Sequence, residues 1–116
     1  MQLIDSHTHI YGEEFDEDRD EMLARAAAAG VGQMVLPNVD AKSYPRVLDL
    51  CAAHPDRLFP TIGLHPTYVK EDYTSQLDYM ERELSQRPHV AIGEIGLDYY
   101  WDTTYQREQI EAFECQ

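Results

Sequence analysis

The sequence predicts an α/β protein whose sheet is parallel and whose units are strand followed by helix. Short apolar runs alternate with stretches in which apolar residues recur at helical spacing, four times over, with strands roughly every 29 residues. Polar residues suited to chemistry stand at the C-terminal ends of successive apolar runs: His7 and His9, then Asn38, then His65, then Glu94. Strands spaced by helices in this way are joined by right-handed crossovers.

The first run, Leu3-Ile4, opens into Asp5-Ser6-His7-Thr8-His9. On an extended chain Asp5, His7 and His9 share a face, and two imidazoles roughly 7 Å apart along it can converge on one cation. The plain alternative is a pair of surface histidines near the chain start. Phe15, Met22, Leu23 and Ala26 then mark a helix that ends at Gly30. Val31 to Leu36, closed by Pro37-Asn38, suits a buried parallel strand. Pro45 fits a first helical turn, with Val47, Leu48, Cys51 and Ala52 as the apolar stripe, and His54-Pro55 stops it. Leu58 to Leu64 is the third run, finishing in Gly63-Leu64-His65-Pro66. Leu77, Met80 and Leu84 mark a third helix that Arg87-Pro88 ends. Val90 to Gly96 is expected as the fourth strand. Thr103-Thr104-Tyr105-Gln106 offers a capping box for a fourth helix with Ile110 and Phe113 toward the core.

Two architectures accommodate four such units: a small open sheet covered on both faces, or about half of a (β/α)8 TIM-type barrel, which typically needs about 250 residues. The Gly-rich phosphate turn of a dinucleotide-binding sheet is missing after the first strand. In an open sheet the strand-end polar residues would spread along an edge, whereas in a barrel they face one rim, where barrel enzymes keep their chemistry. The barrel segment is therefore preferred. Half a barrel leaves unpaired strand edges, so residues 1–116 are expected to be the N-terminal half of one barrel domain, completed by a missing C-terminal half or by self-association through the open edges.

The formal net charge of −13 repels polyanions at long range and argues against nucleic-acid binding through a basic patch. It leaves room for a polyanionic substrate met by bound divalent cations, which reverse the local sign. The acidic stretch from Glu13 to Glu21 reads as a solvated helix N-terminus. No apolar run is long enough for a membrane span, and the first residues lack a signal-peptide pattern, so a cytoplasmic location without membrane contact is expected. Cys51 and Cys115 are expected as free, buried thiols. His54 and His89, each beside a proline, are expected at the surface.

Asp5-Ser6-His7-Thr8-His9, Gly63-Leu64-His65-Pro66 and Gly93-Glu94-Ile95-Gly96-Leu97-Asp98-Tyr99-Tyr100, in this order and spacing, resemble the TatD-type metal-dependent deoxyribonucleases, a branch of the amidohydrolase-like barrels. The resemblance covers nearly the whole chain, and the third block is its most specific part. It implies a two-metal hydrolase of phosphodiester bonds in DNA. His7 and His9 would bind one ion and Glu94 would bridge to a second, with Mg²⁺, Mn²⁺ or Zn²⁺ as the metal. His65 would act beside the substrate phosphate without ligating metal, so Glu94 and His65 are the candidate catalytic residues. Asp5 would orient a ligand rather than bind metal itself. The remaining ligands that the resemblance implies, two histidines and an aspartate, lie beyond position 116. Tyr11 departs from the Asp or Asn common at its place. For Glu94 the alternative is a strand-end acid paired with a lysine or arginine, and for His65 a hydrogen-bonded structural histidine. Tyr99, Tyr100 and Trp101 either shape a loop over the site by packing or stack on bases.

Two further readings compete: an amidohydrolase-type barrel acting on an amide, lactone or phosphate monoester, and a non-catalytic half-barrel that serves as an interaction module. A modified lysine on the fourth strand would favour the amide or lactone reading, and Glu94 speaks against it.

Overall fold

The computed structural model describes residues 1–116. Its regular elements are β1 (Leu3–Asp5), α1 (Arg19–Ala28), β2 (Val31–Leu36), α2 (Tyr44–Ala53), β3 (Leu58–Pro60), α3 (Tyr73–Gln86) and α4 (Gln106–Cys115). Short 3-10 turns occupy Glu13–Phe15 and Pro66–Tyr68. The strands lie in the order β1-β2-β3, all parallel, with Leu3 opposite Val31, Asp5 opposite Met34 and Leu36 opposite Pro60. This is the α/β arrangement of a partial (β/α)8 barrel.

Two apolar clusters hold the helices to the sheet. Met34, Leu36 and Leu58 of β2 and β3 meet Leu23 of α1 and Val47 and Cys51 of α2, with Ile10 and Tyr11 from the loop after β1. Ile62, Leu64 and Val69 meet Tyr44, Met80 of α3 and Ala112 of α4. Gly30 ends the first unit at φ +91°, a backbone conformation that glycine adopts without a Cβ clash. Pro45 lies in the first turn of α2, where its missing N–H costs no hydrogen bond. Asp20 and Glu21 occupy the first turn of α1, so acidic charge does meet a helix N-terminus there.

Several expectations are corrected. Val90 to Gly96 is not a strand: one parallel bridge, Ile62 to Ile92, is all that forms. The flanking amides still reach across, Val90 N–H to Pro60 O at 3.2 Å and Gly93 N–H to Ile62 O at 2.9 Å. The Gly93 carbonyl is taken by the Thr61 hydroxyl at 2.6 Å, so a side chain occupies an acceptor that a ladder would use. The third run is likewise shorter than Leu58 to Leu64, because the Gly63 amide donates to the Asn38 side chain at 2.9 Å instead of to a strand.

No capping box forms on α4; Tyr105 takes the N-cap place without a side-chain bond, and Asp102 accepts the Thr104 amide one turn earlier at 2.9 Å. Ile110 and Phe113 lie outward, 42% and 44% exposed, while Gln109 and Ala112 are buried. The rotation follows from polar demand. Gln109 accepts the Asp98 amide and donates to the Asp98 carbonyl, and Gln116 bonds the backbone of Leu64, so the amide face of α4 must turn inward.

Cys51 is buried, which pushes its thiol up to about 12, but Cys115 is exposed. His89 is not a free surface residue. Its Nε2 pairs with the Tyr44 hydroxyl at 2.6 Å and its ring stacks on Tyr44, because the tyrosine is wholly buried and its hydroxyl needs a partner. His54 is half-buried at the C-cap of α2.

Candidate metal centre

β1 ends at Asp5, earlier than an extended run through His9 would require. Asp5 Oδ1 accepts the His7 amide at 3.1 Å, a local side-chain turn that bends the chain at Ser6. The strand path is then rejoined, with Thr8 N–H on Val35 O at 3.0 Å. Both imidazoles therefore stand on the C-terminal rim beside β2. Asp5 fixes the backbone of His7 and bonds no imidazole.

Glu94 is brought to the same rim by a relay of buried contacts. Asn38, fully buried after β2, donates to Asp40 O and accepts the Gly63 amide. Gly63 then lies flat against the Gly93–Glu94 segment, whose connecting peptide is cis; a Cβ on Gly63 would come within 3.0 Å of Gly93 C and Glu94 O. Asn38 is thus a buried bridge between strand ends and contributes nothing to the open site.

Four predicted residues converge. The Nε2 atoms of His7 and His9 are 3.1 Å apart, and Glu94 Oε2 lies 3.1 Å from the first and 3.6 Å from the second. The other carboxylate oxygen, Oε1, is 3.3 Å from His65 Nε2. Ligand atoms about 2.1 Å from one ion in tetrahedral array stand about 3.4 Å apart, and the separations among His7, His9 and Glu94 straddle that spacing. Two imidazole nitrogens and a carboxylate oxygen are also a donor set that suits Zn²⁺ or Mn²⁺, so the residues fit a divalent ion. Burial, and then the neighbouring His7, hold His9 below the usual imidazole range, which favours the neutral ring that ligation requires. Glu94 has no lysine or arginine partner.

His65 is held differently. Its Nδ1 accepts the Thr67 amide at 3.2 Å and touches the Thr67 hydroxyl at 2.8 Å, at the N-cap of the Pro66–Tyr68 turn. Only Nε2 is left to face Glu94.

Sequence reasoning passed over the supports of this rim. Tyr11, noted only as a departure, is 5% exposed; its hydroxyl donates to Pro37 O at 2.7 Å and meets His9 Nδ1 at 2.8 Å. Arg19 bonds the carbonyls of Ile10, Tyr11 and Gly12, and Arg46 also bonds that of Tyr11. Asp16 receives both guanidinium groups. A cleft of about 330 Å³ opens behind Tyr11 between these residues, away from the histidines, and its cations are already engaged. The signal for Tyr11 was present: it continues the i, i+2 series of Asp5, His7 and His9. Tyr100 and Trp101 are 83% and 76% exposed, edge to face with each other, so packing against the body of the protein does not hold them.

A parallel strand–helix fold with His-x-His, His and Glu gathered at the strand C-termini defines the class of barrel-type metal-dependent hydrolases. The chain belongs to the TatD-related DNase family, whose profile matches residues 4–116. It is 37% identical over 111 residues to an uncharacterised metal-dependent hydrolase, YjjV, of Escherichia coli K12, covering 93% of this chain and 42% of that protein. It is 32% identical to a 3'-5' ssDNA/RNA exonuclease TatD of Erwinia tasmaniensis, covering 98% of this chain and 44% of the other. The crystal structure of Escherichia coli YjjV superposes with a TM-score of 0.88 at 34% identity, over 97% of this chain and 44% of that one. A TatD-family hydrolase structure from Entamoeba histolytica, at 22% identity and a TM-score of 0.77, shares the fold. The chain therefore spans somewhat less than half the length of the relatives it matches. No helix is long and apolar enough to cross a membrane.

Proposed function

We propose that this chain carries one side of a two-metal centre that hydrolyses phosphodiester bonds of DNA, in a protein whose barrel is completed by further strands and ligands. The observation that supports it is the convergence of His7, His9 and Glu94 within ligand spacing, with His65 on the free oxygen of the same carboxylate. Divalent ions bound there would polarise a phosphoryl oxygen and make water a usable nucleophile at neutral pH.

The chain's own residues divide the remaining work. His7 and His9 would hold one ion through Nε2, and Glu94, with its two oxygens aimed at different neighbours, would supply carboxylate oxygen to the centre. His65 donates Nε2–H toward the place where Glu94 Oε1 now accepts it, which suits it to a phosphate oxygen rather than to a cation. Metal also answers the charge problem: bound cations would offset at the rim the repulsion between an anionic backbone and a chain of net charge −13. The Erwinia relative, a 3'-5' ssDNA/RNA exonuclease, extends the substrate class to single-stranded DNA and RNA. The amide or lactone alternative is disfavoured by the segment Val90 to Gly96, which holds no lysine.

The test uses the protein with its barrel complete, on single-stranded and duplex DNA with Mg²⁺ or Mn²⁺. Nucleotide release that stops with chelator and falls at least about 100-fold in Glu94→Gln is expected, a loss of about 2.7 kcal/mol of transition-state stabilisation. His7→Ala should be partly rescued by excess metal, and His65→Ala should slow turnover with metal content unchanged. Undiminished turnover in Glu94→Gln would remove the proposal.

A further inference from the structure

We infer that Tyr11 is a positioning residue for the metal centre: its phenol locks His9 as the Nδ1–H tautomer, so that the Nε2 lone pair faces the ion, while His65 is locked in the opposite form. The inference rests on the metal-centre reading above and says which proton sits where within it.

The count of donors and acceptors around each ring fixes its proton. The Pro37 carbonyl can only accept, so the 2.7 Å contact uses the single proton of the Tyr11 hydroxyl. The phenol oxygen then has only lone pairs left for His9 Nδ1 at 2.8 Å, and Nδ1 must be the donor. A neutral imidazole with its proton on Nδ1 has a bare Nε2, and this is the atom 3.1 Å from His7 and 3.6 Å from Glu94. At His65 the assignment is reversed. A backbone amide can only donate, so the Thr67 N–H makes His65 Nδ1 an acceptor and leaves the ring proton on Nε2, facing Glu94 Oε1 at 3.3 Å. Of two histidines on one rim, one is set as a ligand and the other as a hydrogen-bond donor.

Tyr11 is built to do this. Its ring is buried, and its own carbonyl is bonded by Arg46 at 2.9 Å and Arg19 at 3.3 Å, so backbone and hydroxyl are both fixed. His7 has no comparable guide. It is exposed, and its Nε2 lies 3.1 Å from two acceptors, His9 Nε2 and Glu94 Oε2, so in the absence of metal it carries Nε2–H. Loading the centre therefore moves the proton of His7 and leaves that of His9 in place. Metal-bound histidines commonly donate their second N–H to an oxygen, and losing that acceptor weakens metal affinity by about 10- to 100-fold.

The experiment is ¹⁵N–¹H correlation NMR of the histidine rings in the metal-free protein, followed by titration with Zn²⁺. Expected are Nδ1–H for His9, Nε2–H for His65 and His7, and a change of tautomer on Zn²⁺ addition at His7 alone. In Tyr11→Phe, His9 should shift toward Nε2–H and Zn²⁺ affinity should fall about tenfold or more. His9 found as Nε2–H in the metal-free wild-type protein overturns the inference, whatever the variant does. If His9→Ala weakens Zn²⁺ binding but Tyr11→Phe changes neither tautomer nor affinity, the role of Tyr11 falls and the metal centre stands. Unchanged Zn²⁺ affinity in His9→Ala removes the centre itself.

Discussion

Gly63 shows how tightly the centre depends on residues that carry no chemistry. Its missing side chain lets the stretch after β3 lie against the segment that delivers Glu94, and Asn38 holds its amide. A methyl group there would meet Ile95 Cγ2 at 2.8 Å and two backbone atoms within 3.0 Å. A side-chain tip can swing away from such a contact, but the backbone of Gly93 and Glu94 cannot move without carrying the carboxylate with it. Gly63→Ala is expected to fold, to bind metal more weakly and to lose about 100-fold in turnover, the cost of displacing a catalytic group by about 1 Å. Metal titration together with steady-state kinetics checks this, and wild-type values in both would show that the rim yields elsewhere.

The loop from Ile10 to Gly12 is the element on which the imidazoles depend. It leaves the sheet after His9, is buried at Ile10 and Tyr11, and has its carbonyls answered by Arg19, with the Gly12 carbonyl also taking the Phe15 amide of the following 3-10 turn. Truncating Arg19 leaves the Ile10 carbonyl without a donor, while Arg46 still bonds Tyr11 O and the Phe15 amide still bonds Gly12 O, so Arg19→Ala should cost about 1–3 kcal/mol, read as a lower urea midpoint at unchanged slope. Arg19→Lys should recover little, since one ammonium cannot reach three carbonyls in the way a planar fork does.

The turn between α3 and the Glu94 segment carries a different liability. Burial keeps His89 below its ordinary value of 6.5. The unfolded chain then takes up that proton before the folded one does, so stability is whole above about pH 6.5 and declines as pH falls toward the depressed folded value. Melting temperature should drop between pH 7 and pH 5. The drop should be smaller in His89→Gln, which can still bond Tyr44 but does not titrate; an equal drop in both would place the effect on other groups.

For the whole molecule, the measure that matters is how little is covered. Only 20 of 116 residues are buried, and the radius of gyration is 15.1 Å, against about 13.4 Å for a compact chain of this length. Ile4, Val90, Ile92, Leu97, Ile110 and Phe113 are exposed, and β1 pairs on one side only. Unpaired edges and apolar surface of this extent favour association. Sedimentation of the isolated 116-residue chain is expected to show a weight-average mass that rises with concentration, and a concentration-independent monomer would mean that these faces are tolerated in water.

The sequence by itself determined which residues gather and on which kind of scaffold. Helical and strand periodicity are local, so α1, α2, α3 and β2 were legible. The His-x-His, His and Glu pattern placed one rim, since polar residues at the ends of parallel strands have only one common side to face. Tertiary structure alone decided what depends on partners distant in the chain. The segment Val90 to Gly96 has strand composition, yet Thr61 claims the carbonyl of Gly93 and one bridge remains. The apolar pair Ile110 and Phe113 lost the inner face of α4 to Gln109 and Gln116, whose amides satisfy backbone groups that no periodicity reveals. Proton placement on His9 and His65 was equally out of reach. It follows from Pro37 and the Thr67 amide, and a hydrogen bond has a direction only once both of its ends are in place.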